Sequence, residues 1–361
     1  MIRLVPLLLL LSACAPTADT GDTGTSDTAD TGTATAQTHA VLTTTDFAVG
    51  ALATVDLDSL AVDDDLLPTS SDPFVSVMQD EVFQVNGLGV DSVAVYTPGS
   101  WGAPQVQFSV GSGTNPHAVA LIDGELFVSL YEEAHLGIFD PTDGTALGSV
   151  DLSAYGGSDG IPEASTMVVV NGDLYVALER LNRDDGWSDD GGMVVQVDPS
   201  LRAVTKAWAV GPSPIVYAHP TDSTKLMVRT GLYAQAVGGL RVLDPTQDAP
   251  DPLLVDASAL GYGIAGYAAA STGAGIIVGE HSDATYTLGC VAPDGTVTDV
   301  YGPTADWLTN PAGDDRGRAW VAVRSVSGTS GLLVVDLATC SVVNDTLVQT
   351  DLPPYRIAFY P

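Results

Sequence analysis

Residues 115–152 read NPHAVALIDGELFVSLYEEAHLGIFDPTDGTALGSVDL, four short apolar runs separated by three turn signals. Between HAVALI and ELFVSL stands Asp123-Gly124, a pair that accepts positive φ and closes a two-residue hairpin. The polar YEEAH leads into LGIFD, and Pro141-Thr142-Asp143-Gly144 then turns the chain into TALGSVDL. β-branched and aromatic residues fill the runs, and none has the length a helix needs. The stretch predicts a four-stranded antiparallel meander.

The pattern recurs along the chain. The end of its third strand falls near Asp56, Thr97, Asp140, Asp198, Asp244, Ala292 and Asp336, at spacings of 41, 43, 58, 46, 48 and 44 residues. That is the period of a four-stranded propeller blade. Second strands follow as VFQVN, ELFVSL, DLYVAL, KLMVRT, GIIVGE and AWVAVR, several of them after turns such as Gln79-Asp80 and Asn171-Gly172. Residues 39–71 supply only three strands, while the last residues, PPYRIAFYP (353–361), look like a first strand. A C-terminal strand completing the N-terminal blade would close the ring and leave no large unpaired edge. The expectation is an all-β, seven-bladed β-propeller over residues 39–361. Its blades are 39–71 with 353–361, then 72–114, 115–160, 161–211, 212–260, 261–304 and 305–352.

The blade repeat, with its DG-type turn, LYV-type strand and DP-x-DG turn, resembles the YVTN/YncE-like seven-bladed propellers. Blades three, four and seven match best. That resemblance implies a fold and no single function, because such propellers include lactonases, lyases, quinoprotein enzymes and plain binding modules.

Composition narrows the field. Formal net charge is −33, from 45 acidic and 12 basic residues. Of the acids 38 are Asp and 7 are Glu, which suits turns, where Asp bonds its own backbone. With two lysines the chain lacks the basic face that nucleic acid requires.

Ahead of the propeller, MIRLVPLLLLLSAC has Arg3, then an apolar core too short to span a bilayer, then small residues. Leu11-Ser12-Ala13-Cys14 resembles the lipobox of bacterial lipoproteins. This predicts a signal peptide over 1–13, lipidation at Cys14 and membrane attachment through the acyl chains. Ala15 after the cysteine resembles the outer-membrane class, so the expected address is the bacterial cell envelope. Residues 14–38, rich in Thr, Asp and Gly without a large apolar side chain, read as a disordered tether.

Candidate binding residues come from the propeller geometry. Each first strand lines the channel and each second strand returns beside it, so the start of one and the end of the other meet at one rim. That rim collects His117, Glu132, Glu163, Glu179, Arg180, Arg229, Glu280, His281, Arg324 and Arg356. Glu132, Glu179, Arg229, Glu280 and Arg324 read as nearly the same phase in five blades. Glu and Arg are scarce elsewhere, so the cluster suggests either a mixed-charge pocket for a polar ligand or an ion-pair ring.

Blade four carries an insertion, 180–192. Asp184, Asp185, Asp189 and Asp190 are oxygen donors that could take calcium, although the order is not that of an EF-hand. A solvated loop, or a lid carrying Trp187, are the other readings. Cys290 and Cys340 suggest a disulfide in an exported protein.

No HExxH, CxxCH, P-loop or helix-opening GxGxxG motif occurs. The first expectation is therefore a non-catalytic binding or scaffold module; a rim filled by its own ion pairs would favour protein partners. The alternatives are a lactonase- or lyase-like enzyme using His117, Glu163 or His281 on a polar small molecule, and a calcium-stabilised adhesin-like module. The enzyme reading needs a histidine and a carboxylate to converge at the channel mouth.

Overall fold

A computed structural model of the protein describes residues 35–361 and arranges them as seven antiparallel sheets around a ring. The leader, the lipobox with Cys14 and most of the tether lie outside the described residues. In the reference stretch, Pro116–Ile122, Glu125–Leu130, His135–Phe139 and Ala146–Asp151 pair in order from the channel outwards. Asp123 and Gly124 take φ of 51° and 81°, the left-handed pair that a tight hairpin demands.

Closure is as expected. The C-terminal strand Pro354–Tyr360 pairs with His39–Thr45 and is the innermost strand of the first blade. In blade seven the outermost strand is broken into Ser341–Val342 and Val348–Gln349, both on Gly331–Asp336. Asn344 fills the gap with its side chain: Oδ1 accepts from Val334 N at 2.8 Å and Nδ2 donates to Leu332 O at 3.0 Å.

Seven hydrophobic clusters make up the core, one between each pair of neighbouring blades. Inner sheets are therefore buried on both faces, which is why Glu125–Leu130 and Tyr286–Val291 read as continuous apolar runs. Outer strands such as Val62–Thr69 alternate between exposed and half-buried. Cys290 of blade six and Cys340 of blade seven form a disulfide with Cα atoms 5.8 Å apart.

The abundance of Asp has a local cause. Asp56, Asp140, Asp198, Asp244 and Asp336, at the ends of third strands, accept from nearby hydroxyls and backbone N–H groups; those bonds hold each carboxyl below its ordinary pKa. Gly144 closes the Asp140 turn at φ +76°, and a Cβ there would lie 2.3 Å from Phe108.

Inner strands start, and second strands end, on what we call the loop face. The described chain begins on the opposite face, where Gln37 is tied to Asp315 (Gln37 N to Oδ2 2.8 Å, Asp315 N to Oε1 2.9 Å).

Candidate functional site

Inner strands begin with proline in several blades: Asp72-Pro73, Asn115-Pro116, Ser213-Pro214 and Pro353-Pro354. An inner strand has one edge open to the channel, so a missing N–H is tolerated there. Close to these starts the ladder bulges in blades one, three, four, six and seven. A bulge inserts an extra residue and redirects its side chain. Tyr355, His117, Ser165 and Asn310 sit at such bulges, and each is buried. Hydroxyls serve the displaced backbone: Ser129 Oγ accepts from Ala118 N at 2.8 Å, and Thr43 Oγ1 from Arg356 N at 3.1 Å.

Three blades meet in a stack of planar groups, and hydrogen bonds extend it into two more. The Arg356 guanidinium lies 4.5 Å from the Phe74 ring and 4.4 Å from Tyr355. His117 is stacked between Phe74 and Tyr131, with centroids 4.8 and 4.3 Å away. Tyr131 OH then donates to Glu179 Oε2 at 3.1 Å. On the other side Arg356 Nη1 donates to Asn310 Oδ1 at 2.5 Å, and Asn310 Nδ2 to Tyr355 O at 2.7 Å. Burial, aided by the nearby Arg356 charge, pushes His117 down to about 3, so the imidazole is neutral at physiological pH and a weak base. Burial also raises Asp72, against the pull of Arg356.

The acidic side of the mouth is held by a residue the sequence reading passed over. Arg183, on the blade-four insertion, donates to Glu163 Oε1 at 3.0 Å, pairs with Glu132 and lies 3.9 Å from Asp159. Its guanidinium also lies 5.1 Å from the Trp187 ring and 6.0 Å from Tyr131. Glu163 is fully buried, and desolvation pushes its carboxyl up to about 7 although Arg183 and Leu181 N oppose the shift.

The remaining rim residues fall into separate sets. Arg180 turns outward, donating to Gly191 O at 2.7 Å and so fastening the insertion. Arg229 donates to Ser213 O at 3.3 Å. Glu280 accepts from Tyr286 OH at 2.9 Å and from Ala234 N at 3.0 Å. Arg324 is enclosed by Phe47, Trp307 and Tyr355, donates to the Pro353 and Pro354 carbonyls, and is lowered to about 10 by burial. His281 packs on Tyr262 and Thr287 in blade six, in a different set from His117.

The five charged residues, expected at nearly the same phase, are offset by one or two positions from blade to blade. Leu130 pairs with Pro116 as Leu178 pairs with Ala164, so the counterpart of Glu179 in blade three is Tyr131, one residue before Glu132. The counterpart of Glu179 in blade five is Gly231, whose N donates to Pro212 O as Glu179 N donates to Glu163 O, so Arg229 lies two positions earlier. Bulges and turn lengths shift the register blade by blade, which a count along the chain does not reveal.

The insertion is a short hairpin, Leu181–Asn182 with Ser188–Asp189. Within it Asp185 accepts from Ser188 Oγ and Asp189 from Gly191 N, Asp184 N donates to Asn182 Oδ1, and Asp190 accepts from Ser158 N of the preceding loop. Among the described residues, no three acidic, His or Cys side chains are grouped to hold a metal ion.

No family model matches the chain, and no curated protein matches it. Solved structures resemble it in fold. A protein from Lactobacillus plantarum aligns with TM-score 0.66 and 15% identity over 90% of this chain and 100% of its own. A Bacteroides fragilis protein designated "putative 6-phosphogluconolactonase" aligns with TM-score 0.61 and 13% identity over 92% and 100%. Apo AztD from Citrobacter koseri gives 0.51 and 12% over 89% and 97%. At these identities the likeness carries the seven-bladed fold alone.

Proposed function

We propose that the protein is a lipid-anchored envelope protein, attached through Cys14, whose propeller is a non-catalytic binding module. The observation that carries this reading is the state of the charged groups at the mouth. Arg183 occupies Glu163 and Glu132, Tyr131 occupies Glu179, backbone and Tyr286 occupy Glu280, and His117 is held neutral between two rings. Groups bound to one another stiffen a platform and leave little to act on a substrate. A tether leaving near Gln37 would emerge opposite the loop face and turn that face away from the membrane.

Glu163 supports a second reading. A carboxyl near 7 suits general acid–base chemistry, and lactone hydrolysis is the activity in the designation of the Bacteroides fragilis protein. It requires Arg183 to swing aside.

One assay separates them. The purified protein is incubated with glucono-1,5-lactone and its 6-phosphate between pH 6 and 8, with acid release followed. Rates equal to the uncatalysed ones are expected. Turnover that Glu163→Gln abolishes would replace the binding reading with the enzymatic one. Radiolabelled palmitate incorporation, lost in Cys14→Ser, checks the anchor.

A further inference from the structure

Twelve large hydrophobic side chains are exposed among the described residues. Eight of them lie on the connections from second to third strands, or on the hairpin tip those strands form, all on the loop face. Five blades contribute: Phe47, Leu88, Trp187, Tyr233 and Val326 are 42, 54, 43, 59 and 69% exposed. Isolated exposed hydrophobics are ordinary, but a ring of them on one face marks an interaction surface.

The loops carrying them are tied to neighbouring structure. Leu88 N donates to Asn115 Oδ1, Ala234 N to Glu280 Oε2 and Val326 N to Asp306 Oδ1, at 2.9, 3.0 and 3.1 Å. Phe47 leans on Trp307 and Tyr355. The apolar groups are thus displayed on a fixed frame, and little ordering would be needed to dock against them.

Charge on this face is segregated by depth. Its five arginines are buried or already paired: Arg229, Arg324 and Arg356 in the mouth, Arg183 on Glu163 and Glu132, Arg180 on backbone carbonyls. Its loops leave carboxylates outside, including Asp46, Glu133, Asp184, Asp185, Asp189 and Asp283. An occupant therefore meets hydrophobic anchors set among negative charge.

We propose that the loop face binds a basic, apolar-rich polypeptide segment. This rests on the binding-module reading and adds the chemistry of the partner. Lysines or arginines would answer the loop carboxylates, and apolar side chains would settle among Phe47, Trp187 and Tyr233. A second copy of this chain is repelled, since each carries a formal charge of −33. Anionic lipid is repelled likewise.

The test uses the full-length protein and fluorescein-labelled 14-residue peptides read by anisotropy. One peptide is built of Lys and Leu, a second has Glu for Lys, a third Gly for Leu. The Lys/Leu peptide is expected to bind, and each replacement to weaken it at least tenfold. Combined Trp187→Ser, Tyr233→Ser and Val326→Ser, all at exposed positions, should cost at least tenfold. Leu201→Ser, on the opposite face, should cost nothing. Equal binding of the Lys/Gly peptide, or an unaffected triple variant, would reduce the effect to attraction by a polyanion and overturn the proposal. So would binding to phosphatidylglycerol vesicles that the triple variant loses. Loss of peptide binding with no lactone turnover removes this inference alone, whereas turnover removes the binding-module reading itself.

Discussion

Arg183 Nε stands 3.0 Å from Oε1 of Glu163, so a hairpin inserted in blade four supplies the cation for the most deeply buried carboxylate of the mouth. The pair spans 20 residues of sequence and joins the insertion to the start of an inner strand. Removing the arginine leaves a buried acceptor without its donor. Arg183→Gln should lower stability at pH 8 by about 1–3 kcal/mol. At pH 5, where a protonated Glu163 needs no cation, the cost should shrink. Urea unfolding at the two pH values checks this, and equal losses at both would mean that Glu163 is not the partner that matters.

Glu163 and His117 should impose opposite pH dependences that overlap. Glu163 rises from 4.5 to about 7 on folding, so the stability it gives is present below pH 4.5 and lost as pH rises through 7. His117 falls from 6.5 to about 3, so the stability it gives is present above pH 6.5 and lost as pH falls through 3. Between pH 4.5 and 6.5 the two slopes cancel. Glu163→Gln should tilt stability upward with pH across that window, by up to about 1.4 kcal/mol per pH unit, and His117→Phe should tilt it downward. Variants whose slopes match the parent's would show that neither group titrates as its surroundings dictate.

The ring and its closing strand were legible in the sequence because inner strands are buried on both faces and read as apolar runs, while Asp-capped turns mark the repeat. PPYRIAFYP resembled NPHAVALID because both fill the innermost position. The site was legible in composition and not in detail. His117, Glu163, Glu179 and Arg356 stood out as charged or polar groups near the rim. Their partners Phe74, Tyr131 and Asn310 did not, because the contacts cross between blades and bulges displace the phase by one residue. A signal for part of the mouth was present in the recurring residue-plus-proline starts, including Asp72-Pro73 and Asn115-Pro116.

The disulfide links blade six to blade seven across a sequence separation of 50 residues. Restricting the unfolded chain over a loop of that length contributes about 2–4 kcal/mol. The double variant Cys290→Ser and Cys340→Ser should lose that much in denaturant titration while keeping its circular dichroism spectrum. A reductant should reproduce the loss in the parent and leave the variant unchanged. An identical midpoint in the variant would mean that the ring of blades already imposes the constraint.

At the mouth, Asn310 of the last blade is hydrogen-bonded to the strand that closes the first. Its side chain works in both directions, accepting from Arg356 at 2.5 Å and donating to Tyr355 O at 2.7 Å. Asn310→Ala would deprive a buried guanidinium of an acceptor and a buried carbonyl of a donor, at a cost of about 1–3 kcal/mol for each. Asn310→Asp would restore the acceptor for Arg356 but not the donor, and should recover part of the loss. Because Arg356 lies on the strand that closes the ring, hydrogen exchange should rise first in Pro354–Tyr360 and its partner His39–Thr45. Exchange rising evenly over all seven blades would show instead that the ring opens as one unit, with the seam no weaker than the rest.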